Sequence, residues 1–107
     1  MKIKIGRTYL GDGFPCFVVA EMSGNHGGKI SRALKIIHSA KKAGANAVKL
    51  QTYTADSITL KSNRKDFIIS RDSPWFKKKN LWNLYKFART PIEWHKRLFQ
   101  EAKKIKL

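Results

Sequence analysis

The chain is 107 residues long with an apolar share of 42%, which suits one small globular domain and argues against compositional disorder. Its 23 Lys and Arg against 7 Asp and Glu leave a formal charge of +16, so nucleic acid, or a small phosphate-bearing substrate, enters as a candidate partner. No apolar run approaches the roughly 18 residues of a membrane helix and nothing before Phe14 looks like a secretory leader, so a cytoplasmic location is the expectation.

In chain order, KIKIG and RTYL are short alternating segments suited to an edge hairpin, and GDGFP at 11–15 is a turn. CFVVA then runs apolar without alternation, which predicts a strand covered on both faces, as in parallel sheets. Cys16 falls inside that pattern and reads as a small buried hydrophobe; as the single cysteine it allows no internal disulfide. SGNHGG follows as a loop, with Ser31 a candidate N-cap. Ile30, Ala33, Leu34, Ile37 and Ala40 then recur at helical spacing, with Arg32, Lys35, Lys41 and Lys42 largely outside the stripe. Gly44 sits where a helix ends in the left-handed conformation. A second strand over residues 46–50 completes a strand, helix, strand unit, whose crossover is expected to be right-handed.

Residues 57–79 predict a long excursion with FII as its one apolar point. Helical spacing resumes at Leu81, Leu84, Tyr85 and Ala88. Thr90, Pro91 and Glu93 have the spacing of a capping box with proline at the first helical position. The helix expected from there to about Lys104 carries Trp94, Leu98, Phe99 and Ala102 on its apolar side. The chain then stops where a third strand is due. That pattern reads as the opening part of a larger α/β fold, against the alternative of a complete small α/β domain.

The chemistry lies at the strand ends. Strand side chains alternate faces, so Lys49 and Gln51 point away from Val48 and Leu50. If the latter pack under the helix, Lys49 and Gln51 face the sheet's open side, where Glu21 on the neighbouring strand is placed to reach Lys49. An ion pair plugging the sheet end is one interpretation. A catalytic cluster is the other, because α/β enzymes place active groups at the carboxyl ends of parallel strands. Asn25 and His26 occupy the glycine-flanked loop above the first strand. His38 and His95 lack a neighbour at ligand spacing, so no complete metal site is expected. No nucleic-acid motif is present; the lysines are spread, apart from the run at 77–79, and suit solvated helix faces.

FVVAEMSGNHGG, AGANAVKLQTYTADSITL and LWNLYKFARTPIEWHKRLFQEAKK together resemble the N-terminal part of the sialic acid synthase family, and EMSGNH, KLQTYTAD and LY…TPxEWH favour its pseudaminic branch over the N-acetylneuraminate branch. The resemblance covers residues 14 to 104. It implies a (β/α)8 TIM barrel, here reduced to about two barrel strands and their helices, so that residues 1–107 would be an N-terminal portion without the rest of the barrel or the family's antifreeze-like domain. It implies a bacterial transferase of surface and flagellin glycosylation. Such an enzyme condenses phosphoenolpyruvate with an amino sugar, for this branch 2,4-diacetamido-2,4,6-trideoxy-L-altrose, with a divalent metal, Mn or Mg, whose ligands lie outside this chain. The family is also expected to form homodimers. Carried over, Glu21 is the first-strand glutamate near the sugar, Lys49 the lysine near phosphoenolpyruvate and Gln51 the glutamine beside it, while Asn25, His26 and Tyr53 are substrate-binding loop positions. Gly27 and Gly28 depart from the pattern, standing where relatives usually carry a polar residue. Alone, a chain of this extent is expected to be inactive. An N-acetylneuraminate synthase and a non-enzymatic basic nucleic-acid-binding module are the alternatives.

Overall fold

The computed structural model describes all 107 residues. Strands β1 (Lys2–Ile5) and β2 (Thr8–Gly11) form the expected antiparallel hairpin, in register Lys2 with Gly11 and Ile5 with Thr8. Lys2 lies over the Tyr9 ring at 4.0 Å, and Tyr9 stacks on Phe14.

The central unit is β3 (Val19–Glu21), α1 (Ile30–Lys42) and β4 (Ala47–Lys49), with β3 and β4 parallel and Glu21 level with Lys49. Both strands are shorter than the apolar runs that encode them. Below β3 the Asn46 side chain takes over, its Oδ1 accepting the Val18 N–H at 2.7 Å while the Asn46 N–H donates to the Val18 carbonyl at 2.8 Å. Coverage on both faces is not found. Val19 on β3 is 45% exposed, because helices pack on one side only of this two-stranded sheet, and Val18 and Cys16, which precede the strand, are exposed as well.

Helix α1 buries Ala33, Ile37 and Ala40, as its spacing requires. It starts two residues earlier than Ser31 as N-cap would place it. Lys29 is the N-cap residue, in extended backbone, and contributes no side-chain cap; its own N–H is bound to the His26 carbonyl, so the loop sets the start and Ser31 lies inside the helix. At the other end Gly44 adopts φ +87°, its N–H donating to Lys41 and the Ala45 N–H to Ala40, a Schellman arrangement.

A short helix, α2 (Ala55–Ile58), which composition did not predict, leads into the excursion, which holds 3-10 turns at Lys65–Phe67 and Phe76–Lys78. Ile68 bridges to Asn80 and Ile69 is buried, so FII does anchor it. Helix α3 (Leu81–Ala88) is capped by Asn80, whose Oδ1 accepts the Asn83 N–H at 2.9 Å.

The box expected at Thr90 does not form. Thr90 donates its N–H to the Gln51 carbonyl at 2.8 Å and buries its side chain completely, so docking on the chain beyond β4 replaces local capping. A 3-10 turn (Ile92–Trp94) leads instead into α4 (His95–Lys104). Leu98 from α4 joins Met22, Ala33 and Ile37 in the core, with Val48, Leu50 and Trp94 packed around them. Phe99, expected on the same apolar side, is 64% exposed. It borders an open groove of about 790 Å³ along β4, together with Leu50, Leu98 and Leu107.

Candidate active site

At the carboxyl ends of β3 and β4 the Lys49 ammonium donates to Glu21 Oε1 at 2.6 Å. The parallel register puts the two residues side by side, and the ladder continues one step further as the Met22 N–H donates to the Lys49 carbonyl at 3.0 Å. Both side chains are about half exposed, at 55% and 52%. A pair so exposed contributes only about 0–1 kcal/mol to folding. It is therefore weakly justified as a structural plug, and both groups stay open to a ligand.

Val48 and Leu50 pack toward the core, as alternation requires, leaving Lys49 on the sheet's other side with Gln51 in phase. Gln51 is half-buried, and its carbonyl is the acceptor for Thr90. Tyr53 is half-buried and meets Tyr85 edge-on at 6.1 Å. Burial, and to a lesser extent Tyr85, holds its phenol above the ordinary pKa of 10.0, so it remains a hydrogen-bond donor at neutral pH.

The loop after β3 divides its two polar residues. Asn25 is exposed, whereas His26 is wholly enclosed. His26 Nδ1 accepts the Gly28 N–H at 3.0 Å, which leaves the proton of the neutral ring on Nε2, and Nε2 makes no well-formed hydrogen bond, with the Ala88 carbonyl only a loose partner of the ring. Burial lowers the ring's pKa, and the Ala88 carbonyl offsets this only in part. The ring meets Trp94 edge-on at 5.2 Å. Gly24 lies against Ala88, where an added Cβ would come within 3.1 Å of the Ala88 Cβ.

Sequence reasoning missed Thr90 and Trp94 as part of the frame, and a Thr52 Oγ1 to His95 Nε2 hydrogen bond at the rim. It also missed Trp82, whose Nε1–H donates to Asp56 at 2.8 Å. These partners lie 26 residues or more apart, beyond any local spacing. No group of three His, Cys, Asp or Glu side chains converges to hold a metal ion.

Residues 36–107 match the model of the NeuB family. The chain is 54% identical over 86 residues to the pseudaminic acid synthase of Campylobacter jejuni subsp. jejuni, a match that covers 80% of this chain and 24% of that protein. It is 45% identical over 93 residues to the pseudaminic acid synthase of Helicobacter pylori, covering 87% of this chain and 27% of that one. A solved N-acetylneuraminic acid (sialic acid) synthetase from Leptospira borgpetersenii serovar Hardjo-bovis, in complex with citrate, is similar over 100% of this chain and 32% of its own, with a TM-score of 0.77 at 27% identity. The chain thus spans about a quarter of the length of the curated relatives it matches. Its fold is the expected one, the opening part of a TIM barrel with two barrel strands and their helices.

Proposed function

The chain belongs to the NeuB family, and from that premise we propose that it supplies one side of the active site of a pseudaminic acid synthase. In the proposed reaction C3 of phosphoenolpyruvate forms a bond to the aldehyde carbon of 2,4-diacetamido-2,4,6-trideoxy-L-altrose. The aldehyde oxygen takes a proton and becomes a hydroxyl. The cation left at C2 takes up water, which loses one proton to leave a hydroxyl on C2. The bond from C2 to the phosphate oxygen then breaks with its electron pair leaving on phosphate, while the hydroxyl gives up its proton to become the keto group.

The observation that carries this reading is the half-exposed Glu21 and Lys49 pair, 2.6 Å apart at the carboxyl ends of adjacent parallel strands, where barrel enzymes place their reacting groups. Lys49 offers fixed positive charge to the carboxylate and phosphate of phosphoenolpyruvate. Glu21 is suited to hold a sugar hydroxyl or to move a proton at the aldehyde oxygen. Gln51, in phase with Lys49, and Tyr53, kept protonated, offer neutral donors beside them, and exposed Asn25 offers an amide from the loop above. The divalent metal of the family lacks a full donor set among these residues, so no step here is assigned to it.

The choice of sugar is supported by the 54% and 45% identities to pseudaminic acid synthases over 86 and 93 residues. The test offers phosphoenolpyruvate with each sugar in turn to the complete protein and measures phosphate release and product mass. Turnover of the diacetamido trideoxy sugar is expected. Preference for N-acetylmannosamine would reassign the substrate, and phosphate release with neither sugar would refute the reading.

A further inference from the structure

We propose that His26 is a positioning residue: its ring, lodged between the loop after β3 and segment 87–94, holds that loop, and with it Glu21 and Asn25, in the geometry the reaction needs without touching substrate. This inference rests on the synthase reading above. The ring is 0% exposed, so it presents no atom to a ligand. It fastens the loop in two ways, through the Gly28 N–H on Nδ1 at 3.0 Å and through its edge-on contact with Trp94 at 5.2 Å.

Two glycines let the same surfaces close. A Cβ at Gly24 would meet the Ala88 side chain at 3.1 Å, and one at Gly28, which has φ +72°, would meet the Phe87 ring at 3.1 Å. The same segment also holds the other strand, because Thr90 donates to the Gln51 carbonyl at 2.8 Å. Segment 87–94 is therefore the common support of both strand ends, and His26 is the side chain from β3's loop lodged against it.

Stability alone does not explain a histidine here. Its Nε2 is buried with no well-formed hydrogen bond, the Ala88 carbonyl being only a loose partner of the ring, which is unfavourable, and an apolar ring would avoid that. What an apolar ring lacks is the acceptor for Gly28.

The test compares His26→Phe, which keeps a ring and loses the acceptor, with His26→Asn, whose amide oxygen restores an acceptor close to the position of Nδ1. Both are made in the complete protein, and kcat, KM, circular dichroism and exchange of the Gly28 amide proton are measured. For His26→Phe the expected result is a fall in kcat of about 10- to 100-fold with KM within about twofold, and faster Gly28 exchange. His26→Asn should recover most of both.

Full activity with unchanged Gly28 exchange in His26→Phe would overturn the proposal. So would misfolding of both variants, or equal losses in the two, because the role would then be structural or chemical. If the unsubstituted protein turns over neither sugar, the synthase reading fails by itself. The Gly28 exchange rate still decides the positioning role in that case, and the role falls if that rate is the same with Phe as with His.

Discussion

Glu21 and Lys49 separate activity from stability. Their pair is half exposed, so Lys49→Met should change unfolding free energy by less than about 1 kcal/mol. On the proposed reading the same substitution lowers kcat/KM by about 100-fold or more, as expected for removal of a fixed charge aimed at the reacting groups. Denaturant titration and phosphate-release kinetics on one preparation check both halves. His26 makes the opposite kind of prediction. Its folded pKa lies below the ordinary value of 6.5, so the unfolded chain takes up a proton first as pH falls. Stability is then fully present above about pH 6.5 and is lost as pH falls from there toward the folded value. The Glu101 carboxyl, held below its usual 4.5 chiefly by its hydrogen bond from His38, adds a separate loss at lower pH. Melting temperature recorded between pH 7.5 and 5.0 should fall, and should fall less in His26→Asn.

Among the elements, the α1 termini show how local and tertiary determinants divide. Its end is local, since Gly44 at φ +87° meets no neighbour within 4 Å and serves only to turn the backbone. Gly44→Ala should therefore destabilise by about 1–2 kcal/mol, the cost of a left-handed alanine, measured by urea unfolding, with kinetics unaffected. Gly24 is constrained by contact instead, and Gly24→Val should cost about 1–3 kcal/mol through overpacking against Ala88, with a larger effect on turnover because the loop carrying Asn25 moves. The start of α1 and the approach to α4 are both decided by docking. The Lys29 and Thr90 N–H groups are taken by carbonyls in the loop after β3 and beyond β4, and neither apparent side-chain cap, Ser31 or Thr90, is used.

As a whole molecule the chain is extended and thinly buried. Its radius of gyration is 17.0 Å, against about 13 Å for a compact domain of this length. Its accessible surface is 8231 Å², against about 6,100 Å² expected for a folded monomer of its size. The excess lies partly in the open groove along β4, where Leu50, Leu98 and Leu107 line the wall and Phe99 stands exposed. A free strand edge beside apolar side chains favours association. The 107-residue chain is therefore expected to sediment as concentration-dependent oligomers and to bind a hydrophobic dye, and Phe99→Lys should reduce both. Monomeric sedimentation at high concentration would contradict this.

The sequence by itself determined the strand, helix, strand unit, the buried stripe of α1, the C-terminal turn at Gly44 and the meeting of Glu21 with Lys49. All of these follow from periods of 2 and 3.6 residues and from a register that places neighbouring strand ends level. The resemblance carried by FVVAEMSGNHGG and AGANAVKLQTYTAD named the family on the same residues. Only the tertiary structure decided that His26 faces inward, that Thr90 is a support and not a cap, that Phe99 and Cys16 are exposed, and that segment 87–94 joins the two strand ends. Those outcomes depend on contacts between residues far apart in the chain and on which face of the sheet a helix covers, and local spacing contains neither.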